Sequence, residues 1–161
     1  MNNINKTTRG KHTIAEKAYA AGLIDGEGHI IIYKQNRHKM AKYKGNHKSP
    51  VYTLIVGCTN TERSLIEFLY KRWGACRQFR PRQRKNWKPV YDWTIQADMA
   101  MNFLKEIYPF FTSKKWKAKL AIKFQEGKFL RKNKKGRSRK IPKAELERRD
   151  RIWKKLNLHR H

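Results

Sequence analysis

The chain has 161 residues, with 40 Lys and Arg against 12 Asp and Glu, a formal net charge of +28 and a 12% aromatic content. That length suits one domain with room for a terminal appendage, and five Trp, seven Tyr and seven Phe supply a real core. So large a positive excess repels itself unless a polyanion offsets it, which makes nucleic acid the natural partner. No apolar run approaches membrane-spanning length, and Met1-Asn-Asn-Ile-Asn-Lys6 lacks a signal-peptide apolar region, so a soluble, intracellular protein without a membrane partner is expected.

Residues 1–12 are polar and basic without periodicity and read as a flexible basic lead-in. Thr13-Ile-Ala-Glu16 matches a capping box, which predicts a helix from near Ile14 to near Asp25, closed by Gly26 and Gly28. His29 to Gln35 is rich in β-branched residues and reads as a strand, followed by a long basic loop over 36–50 and a second strand over Val51 to Cys58. Thr59-Asn-Thr-Glu62 offers another capping box, and Leu65, Ile66, Leu69, Tyr70 and Trp73 form one helical stripe ended by Gly74. Ala75 to Arg82 and Lys88 to Gln96 read as a second hairpin. Two helices follow, about Ala97 to Ile107 and Lys114 to Glu126, with Pro109, Thr112 and Ser113 between them.

This order describes an α+β domain over residues 13–127, an antiparallel four-stranded sheet with helices on one face and the other face open. From 128 to 161 the composition shifts to 15 Lys and Arg against three carboxylates, a basic C-terminal arm. Leu146, Ile152, Trp153 and Leu156 would line a last short helix docking on the body, and Arg131 to Lys140 would add sequence-independent phosphate contacts.

Strand parity selects the open face. With Ile30, Ile32 and Phe79 inward, His29, Ile31, Tyr33, Gln35, Arg37, Gln78, Arg80 and Arg82 point outward, joined by Asp92, Thr94 and Gln96. These are side-chain types that read base edges in a major groove. Ala18, Ala21, Gly22 and Asp25 fall at i, i+3, i+4 and i+7, a small-residue helix face that another helix could approach closely. Asp25 and Glu27 stand at its foot, where carboxylates are costly unless they cap, pair or bind a cation. Cys58 and Cys76 show no metal-ligand spacing and read as core thiols, and the six histidines read as surface or nucleic-acid contacts.

Ala20-Ala-Gly-Leu-Ile-Asp-Gly-Glu-Gly28 resembles the nine-residue motif that names the LAGLIDADG homing endonucleases, with Ala20 for the leading Leu and conservative Gly26 and Glu27. The α-β-β-α-β-β-α order over residues 13–127 is similar to that family's domain. The resemblance implies a magnesium-dependent, intron-encoded nuclease that hydrolyses phosphodiesters of double-stranded DNA, with Ca²⁺ or Mn²⁺ able to occupy the site in vitro. It assigns the metal to Glu27 and the Gly26 carbonyl, and gives Asp25 a place at the catalytic centre, stabilising the helix ends. It implies that Lys114, with Lys115 next best, orders water around the reacting phosphates, and it points to Asn60 or Arg63 near the second helix, where Cys58 replaces an expected polar group.

Only one motif copy is present, so the resemblance implies a homodimer joined through Ala18, Ala21 and Gly22. The expected target is then a long pseudo-palindromic site, cut to leave short 3′ overhangs. An RNA maturase or intron-splicing cofactor, and a catalytically inactive DNA-binding regulator of the same fold, are the alternatives within the resemblance.

Overall fold

The structure, a computed structural model, describes residues 12–36, 49–81, 85, 88–129 and 141–158. Arg37, Arg82 and the run Arg131 to Lys140 lie outside the described residues, as does the lead-in before His12.

Helix α1 (Ile14–Gly26) starts at the expected capping box: Thr13 accepts from the Glu16 amide while Glu16 accepts from the Thr13 amide. β1 (Gly28–Gln35) leaves it directly. Gly28 is required there, because a Cβ would stand 2.6 Å from the Ile24 Cα. β2 (Val51–Asn60) pairs with β1, Ile31 facing Ile55. α2 (Arg63–Trp73) follows, then β3 (Cys76–Arg80), β4 (Val90–Gln96) and α3 (Ala97–Ile107). A 3-10 turn over Tyr108–Phe110 leads to α4 (Lys115–Phe129), and α5 (Lys143–Leu158) ends the described chain. The sheet is antiparallel in the order β1-β2-β4-β3.

The core lies between the sheet and the helices. Trp93 and Phe103 are fully covered and meet edge-on at 5.2 Å, and Trp73 joins Phe103 at the same separation. Trp93 also donates its indole N–H to the Gly74 carbonyl at 2.7 Å, tying β4 to the end of α2. Each such ring contributes roughly 2–3 kcal/mol through burial. α5 docks on the helix side of β1: Asp150 accepts from the Tyr52 hydroxyl at 2.9 Å and from the Lys34 ammonium, and Leu156 is buried. Among the described residues no helix is long and apolar enough to cross a membrane.

Two local expectations are corrected. The Thr59–Glu62 capping box does not form, because β2 continues through Asn60 to pair with β4. Thr59 donates to Asp92 across the sheet, and Glu62 alone caps α2 through the Ser64 amide. His12, read as part of a free lead-in, stacks on Trp73 at 4.4 Å and reaches Glu106 and the Arg72 carbonyl.

Candidate functional site

The open face is that which strand parity predicts. Ile30, Ile32, Tyr52, Leu54, Val56, Cys58, Trp93 and Ile95 are buried against the helices. His29, Ile31, Tyr33 and Gln35 therefore point the other way, with Gln78, Arg80, Asp92, Thr94 and Gln96 from the second hairpin. The same alternation applied to β2 adds Val51, Thr53, Ile55 and Thr59, which the sequence reading left out although the signal was present. Gly57 belongs to this face as well. A Cβ there would stand 2.6 Å from the His29 Nε2, so the missing side chain seats the imidazole. Burial holds that imidazole below its usual pKa, with Lys114 adding and Asp92 opposing. The Asp92 carboxylate takes hydrogen bonds from Arg80 and Thr59 on this face.

The acidic end of α1 abuts the start of α4. Asp25 accepts from the Thr112 amide at 2.7 Å, the Ser113 amide at 3.3 Å, the Ser113 hydroxyl at 3.1 Å and the Lys114 amide at 2.8 Å. It thus ties down the turn that leads into α4, up to the Lys114 amide immediately before the helix. Burial raises its pKa, but these bonds outweigh that and hold the carboxyl below the ordinary 3.8. Through these four bonds Asp25 links the end of α1 to the start of α4.

Lys114 returns the connection. Its ammonium donates to the carbonyls of Ile24, Asp25 and Gly28 at 2.7, 2.7 and 2.8 Å, closing the C-terminal end of α1. All three ammonium protons are committed to these carbonyls, so Lys114 closes the end of α1 and places a fixed positive charge beside it. Burial lowers its pKa, opposed by Asp25. Lys115 lies over the Tyr108 ring at 5.5 Å. Asn60 accepts from the Glu62 amide and Arg63 pairs with Glu67. Cys58, opposite Gly28 in the sheet, is buried, and burial followed by the Glu27 charge pushes its thiol up to about 11.

Glu27 differs from every other acid. Eleven of the 12 carboxylates have a hydrogen-bond or ion-pair partner in the structure: Glu16, Asp25, Glu62, Glu67, Asp92, Asp98, Glu106, Glu126, Glu145, Glu147 and Asp150. Glu27 is exposed at the C-cap of α1 and has none among the described residues. Beside it, Gly26 is exposed with nothing within 4 Å of where a side chain would stand.

The α1 surface is split differently from the expected small-residue face. Ala18 and Gly22 are exposed, with Ile14 at 74% and Tyr19 at 47%. Ala21, assigned to the interface, is fully buried, because a 100° step per residue turns it with Ala20 and Ile24 toward the core.

No family model and no curated protein matches this sequence. Solved structures do. The homing endonuclease I-TnaI aligns over 90% of both chains at a TM-score of 0.56 and 18% identity. I-CvuI, solved in complex with its target in the presence of Ca, aligns over 89% of this chain and 98% of its own at 0.54 and 17%. The LAGLIDADG homing endonuclease I-LtrWI, bound to target DNA, aligns over 96% of this chain at 0.63 and 16% identity. The chain has the LAGLIDADG homing-endonuclease fold. It spans nearly all of I-TnaI and I-CvuI but about half of I-LtrWI, 49% of that chain. In the LAGLIDADG fold of this protein, Ala20 to Gly28 forms the end of α1 and its exit into β1, so the motif resemblance and the fold coincide at Glu27.

Proposed function

We propose that the protein is a homodimeric, site-specific endonuclease that hydrolyses double-stranded DNA with a divalent metal ion, Mg²⁺ in the physiological reaction. The observation that carries this reading is the unpaired Glu27. In a chain of net charge +28 with 40 Lys and Arg, Glu27 is the one carboxylate that no cation or hydrogen-bond donor engages among the described residues. Lys114, close enough to feel its charge, is already committed to three carbonyls. Glu27 is thus presented, on an exposed helix end, with its oxygens open.

Such a site fits a hard cation. Mg²⁺ takes oxygen ligands and is commonly held by one or two carboxylates, with water and phosphate completing its shell. Glu27 and the main-chain carbonyl of Gly26 would supply the protein oxygens, while the neutral Cys58 thiol would not. A bound ion of this kind polarises a phosphate and makes hydroxide available near neutral pH. The protein's own contribution is placement: Asp25 and Lys114 lock α1 to α4, so that Glu27 is carried on a rigid junction.

Among the described residues no group of three or more His, Cys, Asp and Glu stands together, so one copy offers a single open carboxylate. A second copy would supply the other, its α1 packed on the exposed Ile14, Ala18 and Gly22 surface. The two sheets would then lie along two half-sites related by the same axis, which calls for a long pseudo-palindromic target. That I-CvuI and I-LtrWI were solved on DNA supports the reading. The test is to incubate the protein with a randomised duplex library and Mg²⁺, then sequence the ends produced. Cuts on both strands within a two-fold symmetric consensus, leaving short 3′ overhangs, are expected. Uncut DNA, or cuts without consensus, would overturn the proposal.

A further inference from the structure

Arg80 and Asp92 stand together on the open face, and their exposures differ: the arginine side chain is 56% accessible and the aspartate 16%. Asp92 lies opposite Gln78, so Arg80, two residues along β3 on the same face, reaches back diagonally. Its Nε–H and one Nη2–H both go to the carboxylate, the second at 2.7 Å. From the other neighbouring strand, the Thr59 hydroxyl donates to the same carboxylate. Asp92 is therefore gripped from β2 and from β3, and its two oxygens fix the plane of the guanidinium.

A guanidinium has five N–H donors in a rigid fork. Asp92 uses two of them. Both protons on Nη1 and one on Nη2 remain, and one from each nitrogen, side by side, matches the O6 and N7 acceptors that guanine shows in the major groove. The buttress removes most of the side chain's rotamer freedom before binding, and a guanidinium held in one orientation discriminates better than one that can swing onto a phosphate. It also occupies the carboxylate, which could otherwise accept from cytosine.

We propose that Arg80 reads a guanine at one fixed position of each half-site, and that Asp92 and Thr59 are positioning residues for it. The proposal rests on the sheet's open face lying on DNA. Its test is selection of bound duplexes from a randomised DNA library by the wild type, by Arg80→Lys and by Asp92→Asn, with affinity measured across a salt series. The wild type should select guanine at one position per half-site over the other bases by roughly tenfold to a hundredfold. Arg80→Lys keeps the charge but loses the fork that Asp92 holds in one plane, so the salt dependence should stay the same while that preference falls several-fold. Asp92→Asn, which keeps the side chain's size, should reduce the preference several-fold and leave the other positions unchanged. Thr59→Ser, which keeps the hydroxyl, should retain it. The same base preference in Arg80→Lys as in the wild type would overturn the proposal, as would a consensus lacking guanine. A wild type that selects no duplex at all would remove the endonuclease reading as well.

Discussion

The four hydrogen bonds to Asp25 make Asp25→Asn the most informative single change in the fold. Asparagine keeps one acceptor oxygen, enough for the Lys114 amide and the Ser113 hydroxyl that now share Oδ1. It turns an amide nitrogen toward the Thr112 and Ser113 N–H groups, losing one good bond at 2.7 Å and one long bond at 3.3 Å. Bonds to a charged acceptor contribute about 1.5–3 kcal/mol each, and the longer one less, so the substitution should cost about 2–3 kcal/mol. For a chain of this size that is a fall of roughly 5–10 °C in melting temperature. The pH dependence supplies an independent check. The folded carboxyl lies below 3.8, so its stabilisation is complete above that pH and is lost as pH falls through the folded value. The difference in melting temperature between wild type and variant, followed by circular dichroism, should therefore be constant at neutral pH and close below pH 3.8. An unchanged melting temperature together with abolished DNA cleavage would refute the linking role and make Asp25 a reacting group.

Lys114→Met leaves three carbonyls without their shared donor and should cost about 2–3 kcal/mol in urea denaturation; Lys114→Arg should not restore it, because a planar fork cannot meet three converging oxygens. Gly57→Ala should destabilise by about 1–3 kcal/mol, since the added methyl meets both the His29 ring and, at 3.0 Å, the Trp93 carbonyl; His29→Ala in the same chain should recover only part of the loss. Lys34 and Tyr52 hold the Asp150 carboxyl down to about 2, so its contribution to docking α5 is present above the unfolded value of 3.8 and lost as pH falls toward about 2. The Trp153 indole NMR signal should report that loss, and Asp150→Asn should remove its pH dependence.

What could be read from the sequence was set by local rules. Thr13 and Glu16 satisfy each other three residues apart, and the alternation of β1 and β4 assigns both faces of the sheet without knowledge of the rest. The misreadings come from partners distant in the chain. Thr59 looks like a helix cap until β4 pairs beside it and offers Asp92 instead. Ala18, Ala21 and Gly22 look alike by composition, and only the packing of α1 on the core shows that Ala21 turns inward. Nothing in the pattern around Asp25 or Lys114 announces that the two lock α1 to α4 across some ninety residues. The second hairpin is legible in the sequence, but not that Arg80 reaches diagonally across it to grip Asp92. Glu27 is the reverse case: its chemical identity came from the motif, and the structure adds that it is the carboxylate without a partner among the described residues.

The central claim is that this open carboxylate holds the metal for strand cleavage and does not help hold the DNA. Glu27→Gln preserves the side chain's size at an exposed position and should leave the fold intact. Its affinity for the selected duplex should stay within a few-fold of the wild type, because phosphate contacts dominate binding. Its Mg²⁺-dependent cleavage rate should fall by more than a hundredfold, beyond the loss typical of a residue merely supporting a metal ligand. A variant that binds the same duplex and cuts both strands at the wild-type rate would contradict the account.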